Sequence, residues 1–392
     1  MSLSNLPLSY CTNVHPGRTL AEIEHGLDQY TLPMAAGYGA PLAAGLWLAA
    51  PVVKGLLETD PECRRFAEGL ARRGLTCHTL NAFPYGDFHS PRVKENVYKP
   101  SWAVRSRFDF TVAAARILAQ LLPPNVEGSI STVPLGFPGI DSFPEFLGDC
   151  VENLLATAAL LHRIEEESGR TIRLGIEPEP CCWLDETPSA IEFFKNRLWP
   201  RAAERNALDM VTKHIGLCLD VCHQAVAFED MRQIVSEIDG SGIRINKIHI
   251  TCAIELENPA SNDEGRRALA RYVEPRYLHQ TKAHLADGRV LTAFDLDQAL
   301  TDPRPEFLRA ERWRVHFHVP VDAERLGPLK TTRTELREAL KAVKGLSYAP
   351  HLEVETYTWE VLPESRAVDL VDGLTRELTA TRALLNEVGR AL

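Results

Sequence analysis

Four short apolar runs in the second half of the chain each end in groups that bind metal ions or move protons. LGIEPEP closes on Glu177 and Glu179, and GLCLDVCH on Asp220 with His223 three residues on. NKIHIT carries His249, and HLEVETYTW carries Glu353 and Glu355. A carboxylate at the end of an oily run is costly unless a cation or hydrogen bonds compensate it. Each group alone has an ordinary explanation. A strand-end Asp caps a helix, a lone strand histidine sits satisfied in a core, and the prolines of GIEPEP make a turn. Four such groups on consecutive runs, all at the same end, point instead to one site. Mixed oxygen and nitrogen donors suit a divalent ion of the Mn²⁺, Co²⁺, Mg²⁺ or Zn²⁺ kind better than a thiolate site would. Cys218 and Cys222 lack a second cysteine pair and read as packing residues.

The elements that must position these groups alternate almost from end to end. Strand expectations fall at 7–13, 41–49, 75–83, 128–134, 172–179, 215–221, 245–251 and 351–357. Amphipathic helices are expected between them, for example at 61–73, 106–122, 143–168, 187–199, 228–239 and 332–343. Regular alternation argues for a parallel sheet with crossover helices. Eight units favour a closed (β/α)8 barrel over an open sheet, and neither G-x-G-x-x-G after the first strand nor a P-loop occurs. Active sites of such barrels lie at the C-terminal strand ends, where all four runs place their chemistry. The expectation is a single barrel domain over 1–392. The alternation fails at 252–321, which reads as an insertion after the seventh strand, lying over the barrel mouth as a lid or side layer.

Composition bounds the function. The 392 residues are 45% hydrophobic and 24% charged, with a net charge of −10. That balance describes a globular protein and argues against a nucleic-acid partner, since phosphate backbones attract basic surfaces. Nine cysteines, an odd number, read as reduced thiols in a cytoplasmic protein. The N-terminus has neither a basic start nor an apolar h-region. The uncharged stretch at 34–53 holds two prolines and three glycines, which suit a buried strand flanked by loops rather than membrane insertion.

GIEPEP, CLDVCH, KIHIT and LEVET, in that order, resemble the xylose isomerase-like barrel superfamily, which includes sugar isomerases, ketose 3-epimerases and endonuclease IV. More narrowly, SYCTNVHPG, LNAFPYGDFH and HLEVETYTW resemble the EboE-type metabolite-traffic proteins over nearly the whole chain. The superfamily resemblance implies one divalent ion held by Glu177, Asp220, His249 and Glu355. Glu355 is preferred to Glu353 because it lies nearer the strand end, and Glu177 to Glu179 on the superfamily's pattern. His223, from Asp-x-x-His, then faces substrate or a second ion. His316 and His318, in VHFHVP, resemble a histidine pair that multi-metal members supply.

The other strand ends are expected to line a pocket for a polyol or sugar. They contribute Asn13 and His15, then Asn81, Phe83, Tyr85 and His89, with Trp102 as a stacking wall and Lys94 or Lys99 as a phosphate contact. The expected reaction is isomerisation or epimerisation of a sugar, sugar phosphate or cyclitol through an enediolate, with Glu177 and Glu355 as acid and base. Two other functions fit the same residues. One is a non-catalytic metabolite carrier acting with biosynthetic partner proteins or as a homo-oligomer. The other is a zinc phosphodiesterase like endonuclease IV, with His78 and His318 on extra ions.

Overall fold

The computed structural model describes residues 3–58, 60–301, 303–363 and 368–390. Strands wrapped by helices have no solvent face, so they read as continuous apolar runs. β1 (Leu8–Cys11), β2 (Leu42–Trp47), β3 (Thr79–Asn81) and β4 (Gly128–Thr132) are buried at every position. So are β6 (Ile215–Asp220) and β7 (Ile245–Ile250), while β5 (Ile172–Ile176) leaves one residue half-buried. Helices return the chain between them, for instance Arg105–Leu121, Phe146–Ser168 and Met231–Ser241.

After β7 the chain leaves the barrel and builds β8 (Ile254–Glu257), β9 (Thr281–His284), β10 (Val290–Ala293), β11 (Arg312–Val315), β12 (Arg325–Leu326) and β13 (Leu329–Thr331). These form an antiparallel sheet in the order β10-β9-β11-β8-β13-β12. Helix Arg333–Lys344 leads back to β14 (His351–Val354). β14 closes the barrel between β7 and β1, and all eight barrel pairings are parallel. The architecture is a (β/α)8 barrel with a side sheet.

Several boundaries differ from the sequence expectation for local reasons. The side sheet runs on through Thr331, past 321, because LGPLKT turns back to pair β13 with β8. The uncharged stretch at 34–53 holds β2 between helices Leu32–Tyr38 and Ala50–Glu58, where loops were expected. β3 is short because Asn81 Oδ1 accepts from the Phe83 amide at 3.0 Å, and this side-chain turn peels the chain off the sheet. β5 stops at Ile176 because Pro178 has no amide to donate. Among the described residues no helix is long and apolar enough to cross a membrane.

The barrel interior is not wholly apolar. Lys247 and Glu353 form a fully buried ion pair inside it. Ser9 donates to Glu353 at 3.2 Å, and the Lys247 ammonium donates to Ser131 at 3.2 Å. Gly45 on β2 makes room for this layer: a Cβ there would lie 1.3 Å from Glu353 Oε1.

Candidate metal centre and substrate pocket

Register brings the chemistry together. Asp220 pairs with His249 across β6 and β7, and His249 pairs with Glu353 across β7 and β14. Glu177 and Glu355 stand one residue beyond this ladder, their amides still bonded to Thr132 and Ile250 at 3.0 and 3.4 Å. Their carboxylates turn inward over His249. The His249 Nδ1 atom lies 3.0 Å from Glu177, 3.2 Å from Glu355 and 3.5 Å from Asp220. Glu353 lies behind the same ring, 3.4 Å from Nε2.

Asp220 performs two tasks with its two oxygens. Oδ1 accepts from the His223 amide at 3.1 Å and from Thr251 Oγ1 at 2.7 Å, capping the helix Val221–Val226. Oδ2 is buried without a hydrogen-bond partner, as is Glu177 Oε2. A helix cap explains one oxygen. It leaves the other aimed at the cluster.

These residues fit a divalent ion. Ligand atoms about 2.0–2.2 Å from a metal stand roughly 3.0–3.5 Å apart along the edges of a tetrahedron or octahedron, which matches the spacings around His249 Nδ1. The charges point the same way. Burial opposes a charged His249 ring, yet Cys218, Glu177 and Glu355 outweigh it and lift its pKa well above the usual value. Burial likewise opposes ionised Asp220, but His223 and His318 hold it well below the carboxylate range. Burial pushes Glu355 up to about 7, with His249 opposing and Glu177 and Asp220 adding to it. Three carboxylates around one imidazole call for positive charge, and a divalent ion supplies it.

A second cluster adjoins the first. His223, His316 and His318 present their Nε2 atoms to one another, at 3.1 Å for the first pair and 3.3 Å for the second. The opposite nitrogens are committed as donors: His223 Nδ1 to the Pro178 carbonyl at 3.0 Å and His318 Nδ1 to the Glu355 carbonyl at 2.8 Å. His316 Nδ1 meets Gln280 Oε1 at 2.6 Å, and the Gln280 amide nitrogen is spent on Tyr98 and Pro180. With Nδ1–H fixed in all three rings, three Nε2 lone pairs converge, and only a cation between them, proton or metal, relieves the contact. Asp220 Oδ2 lies 3.8 Å from His318 Nε2, so it faces both clusters. Burial, then His223 and His318, drives His316 well below the usual histidine value, and burial takes His318 to about 4. Burial opposes charge on His223, but Asp220 and Glu179 raise it.

A pocket open to solvent ends on these clusters. Asn13, Asn81, Phe83, His223, His316 and His318 all line it. Asn13 and Asn81 donate to Glu355 Oε1 at 2.9 and 2.6 Å, fixing that carboxylate. Glu179 also lines the pocket, 3.4 Å from His316 Nδ1; Tyr98 donates to it at 2.7 Å and burial raises it to about 7.

Other expected residues lie elsewhere. His15 lines a separate small cavity beside Trp47 and stacks on Tyr30 at 4.4 Å, because the chain turns away after Val14. Trp102 is fully buried behind β4, donating to Thr132 at 3.1 Å. Tyr85 packs on Phe110, and His89 braces the Asn13 carbonyl at 2.9 Å. Lys94 reaches the pocket, whereas Lys99 is exposed and donates to Asn96. His78 packs on His351 at the start of β14, the opposite end from Glu355, so it serves no ion at the mouth. Tyr98, Gln280 and Tyr277 escaped the sequence reading. They come from loops without periodicity, and only folding shows that they face the strand ends.

No protein-family model and no curated protein matches this sequence. Solved structures do match. A xylose isomerase-like TIM barrel protein from Mycobacterium smegmatis in complex with magnesium is 10% identical, covers 99% of both chains and gives a TM-score of 0.53. A D-psicose 3-epimerase crystallised in the presence of D-fructose is 12% identical over 98% of this chain and 99% of its own, with a TM-score of 0.51. A D-tagatose 3-epimerase-like protein is 13% identical over 98% of each, with a TM-score of 0.50. The chain has the fold of the xylose isomerase-like TIM barrels.

Proposed function

We propose that this protein is a divalent-metal-dependent isomerase or epimerase of a hydroxy-carbonyl compound of the sugar, sugar-phosphate or cyclitol kind. The observation that carries this reading is the convergence of Glu177, Asp220 and Glu355 on His249 Nδ1 at the end of an open pocket. Glu177, Asp220, His249 and Glu355 would hold the ion, with His223, His316 and His318 available to a second. A divalent ion bound there polarises a carbonyl and its neighbouring hydroxyl, lowering the cost of negative charge on both oxygens.

The chain's own groups do the rest. Glu355, held by two asparagine amides at the pocket floor, is placed both to take a proton from carbon and to return it. Glu177, with one unpaired buried oxygen, is the second acid–base group. Return of the proton to the adjacent carbon gives isomerisation; its return to the opposite face of the same carbon gives epimerisation. The names of the neighbouring epimerases supply the substrate class to test. The EboE-type resemblance supports a place in small-molecule biosynthesis or metabolite traffic.

The test is deuterium incorporation, followed by NMR, into a panel of ketoses, their phosphates and cyclitol ketones. Wild-type protein should exchange at least one of them. Glu355→Gln, assayed at metal concentrations that saturate it, should exchange it on the order of a hundredfold more slowly. Equal rates would remove Glu355 as the base, and no exchange across the panel would favour a carrier.

A further inference from the structure

The outer pocket differs in character from its floor. Phe88, Tyr277 and Tyr357 come from three separate segments and pack ring against ring, with centroids 5.0, 5.2 and 4.9 Å apart. All three line the cavity, together with Val97 and Leu278. A site for a free sugar needs polar donors along its length, since each buried hydroxyl without a partner costs free energy. Here the carboxylates and histidines gather at the floor, whereas Phe88, Val97 and Leu278 offer ring face and aliphatic carbon, and Tyr277 and Tyr357 add ring faces that each carry one hydroxyl.

Among the described residues, the lining offers a phosphate no uncommitted Lys or Arg. Among the described residues lining the cavity Lys94 is the single Lys or Arg, and its ammonium is committed to Asp295 at 2.6 Å and the Glu274 carbonyl at 3.2 Å. Arg107, buried behind the wall, donates to the carbonyls of Pro100, Ala82 and Phe83. Arg276 is paired with Glu360 at 2.8 Å.

We propose that the substrate is a hydroxy-carbonyl compound with an uncharged apolar substituent, aryl or branched alkyl, whose head meets the metal centre and whose tail lies against Phe88, Tyr277 and Tyr357. A phosphate in place of that tail gains no free Lys or Arg from the lining. The proposal rests on the isomerase reading for the head group only; the tail assignment stands on the wall.

Four small probes share the same head: hydroxyacetone, dihydroxyacetone, dihydroxyacetone phosphate and 2-hydroxyacetophenone. Calorimetric titration into the Mn²⁺-loaded full chain should show 2-hydroxyacetophenone binding at least about tenfold more tightly than hydroxyacetone. The phosphate should bind no more tightly than dihydroxyacetone, and Lys94→Ala should not change that. Phe88→Ala and Tyr277→Ala should each reduce the aryl preference to about threefold or less while leaving hydroxyacetone unaffected. Equal affinity for aryl and methyl probes, tighter binding of the phosphate, or binding of none of the four overturns the proposal. Exchange in D₂O on the same samples separates the two readings. Exchange without aryl preference overturns the tail assignment alone. Aryl preference without exchange upholds it and counts against the isomerase.

Discussion

Asp220 Oδ2 lies 3.5 Å from His249 Nδ1, across a register in which the two residues are direct neighbours on β6 and β7. The other Asp220 oxygen caps a helix, so one side chain couples the fold to the site. Substitutions should separate the two tasks. Asp220→Ala should cost about 1 kcal/mol of stability through the lost cap and also remove the ion. Asp220→Asn keeps an acceptor for the cap and loses the charge, so stability should hold while metal content, measured by elemental analysis, falls from about one ion per chain. Full metal content in Asp220→Asn would take Asp220 out of the ligand set.

Metal affinity should depend on pH with a definite sign. Glu355 titrates at about 7 and the His249 ring is raised well above its usual value, so below neutrality protons occupy the atoms that an ion needs. Apparent affinity should therefore rise with pH. It should lose at least about tenfold per unit on descending below pH 7, approaching about a hundredfold per unit where both groups must give up a proton. A flat profile between pH 5.5 and 7.5, from Mn²⁺ titration with a competing chelator, would show that neither group gives up a proton on binding.

The strand ends were legible in sequence because parallel barrel strands announce themselves as apolar runs and their ends as abrupt polarity. That is why Glu177 and Glu179, Asp220 with His223, His249, and Glu353 and Glu355 stood out by position, while the choice of Glu177 over Glu179 rested on the superfamily resemblance. What spacing hid was orientation. His15 sits two residues from Asn13, yet a single tight turn sends it into a different cavity. Gln280 sits in a polar insertion with nothing to mark it, and its role in fixing the His316 tautomer depends on contacts some 36 residues apart in sequence. The side sheet was visible only as lost alternation, since short antiparallel strands with mixed faces give weak periodicity.

His15 offers a test of stability against pH away from the metal centre. Burial, then the neighbouring His89, lowers its pKa to about 3 from 6.5. A group with a depressed folded-state pKa contributes stability above its unfolded value and loses it as pH falls. Between pH 6.5 and about 3, wild type should lose up to roughly 1.4 kcal/mol per pH unit more than His15→Gln. Above pH 7 the two urea-unfolding curves should keep a constant offset. Parallel pH dependence throughout would mean that the ring charges without opposition.

The last prediction concerns the carboxylate behind the ring. Glu353 Oε2 lies 3.4 Å from His249 Nε2, while the buried Lys247 ammonium pairs with the same carboxylate. Burial opposes its ionisation, but Lys247 and His249 hold it down to about 2, so it is an anion at any working pH. A carboxylate on the far nitrogen orients an imidazole and makes it a better metal ligand, and losing one typically lowers metal affinity about 10- to 100-fold. Glu353→Gln should show that loss. It should also destabilise the barrel by about 3–5 kcal/mol, because Lys247 is left buried and unpaired. The double variant Lys247→Met with Glu353→Gln removes the stranded charge and should recover most of the stability. Its metal affinity should stay low, because the charge behind His249 is still missing. Recovery of affinity together with stability would mean that Glu353 acts on the ion only through the integrity of the barrel.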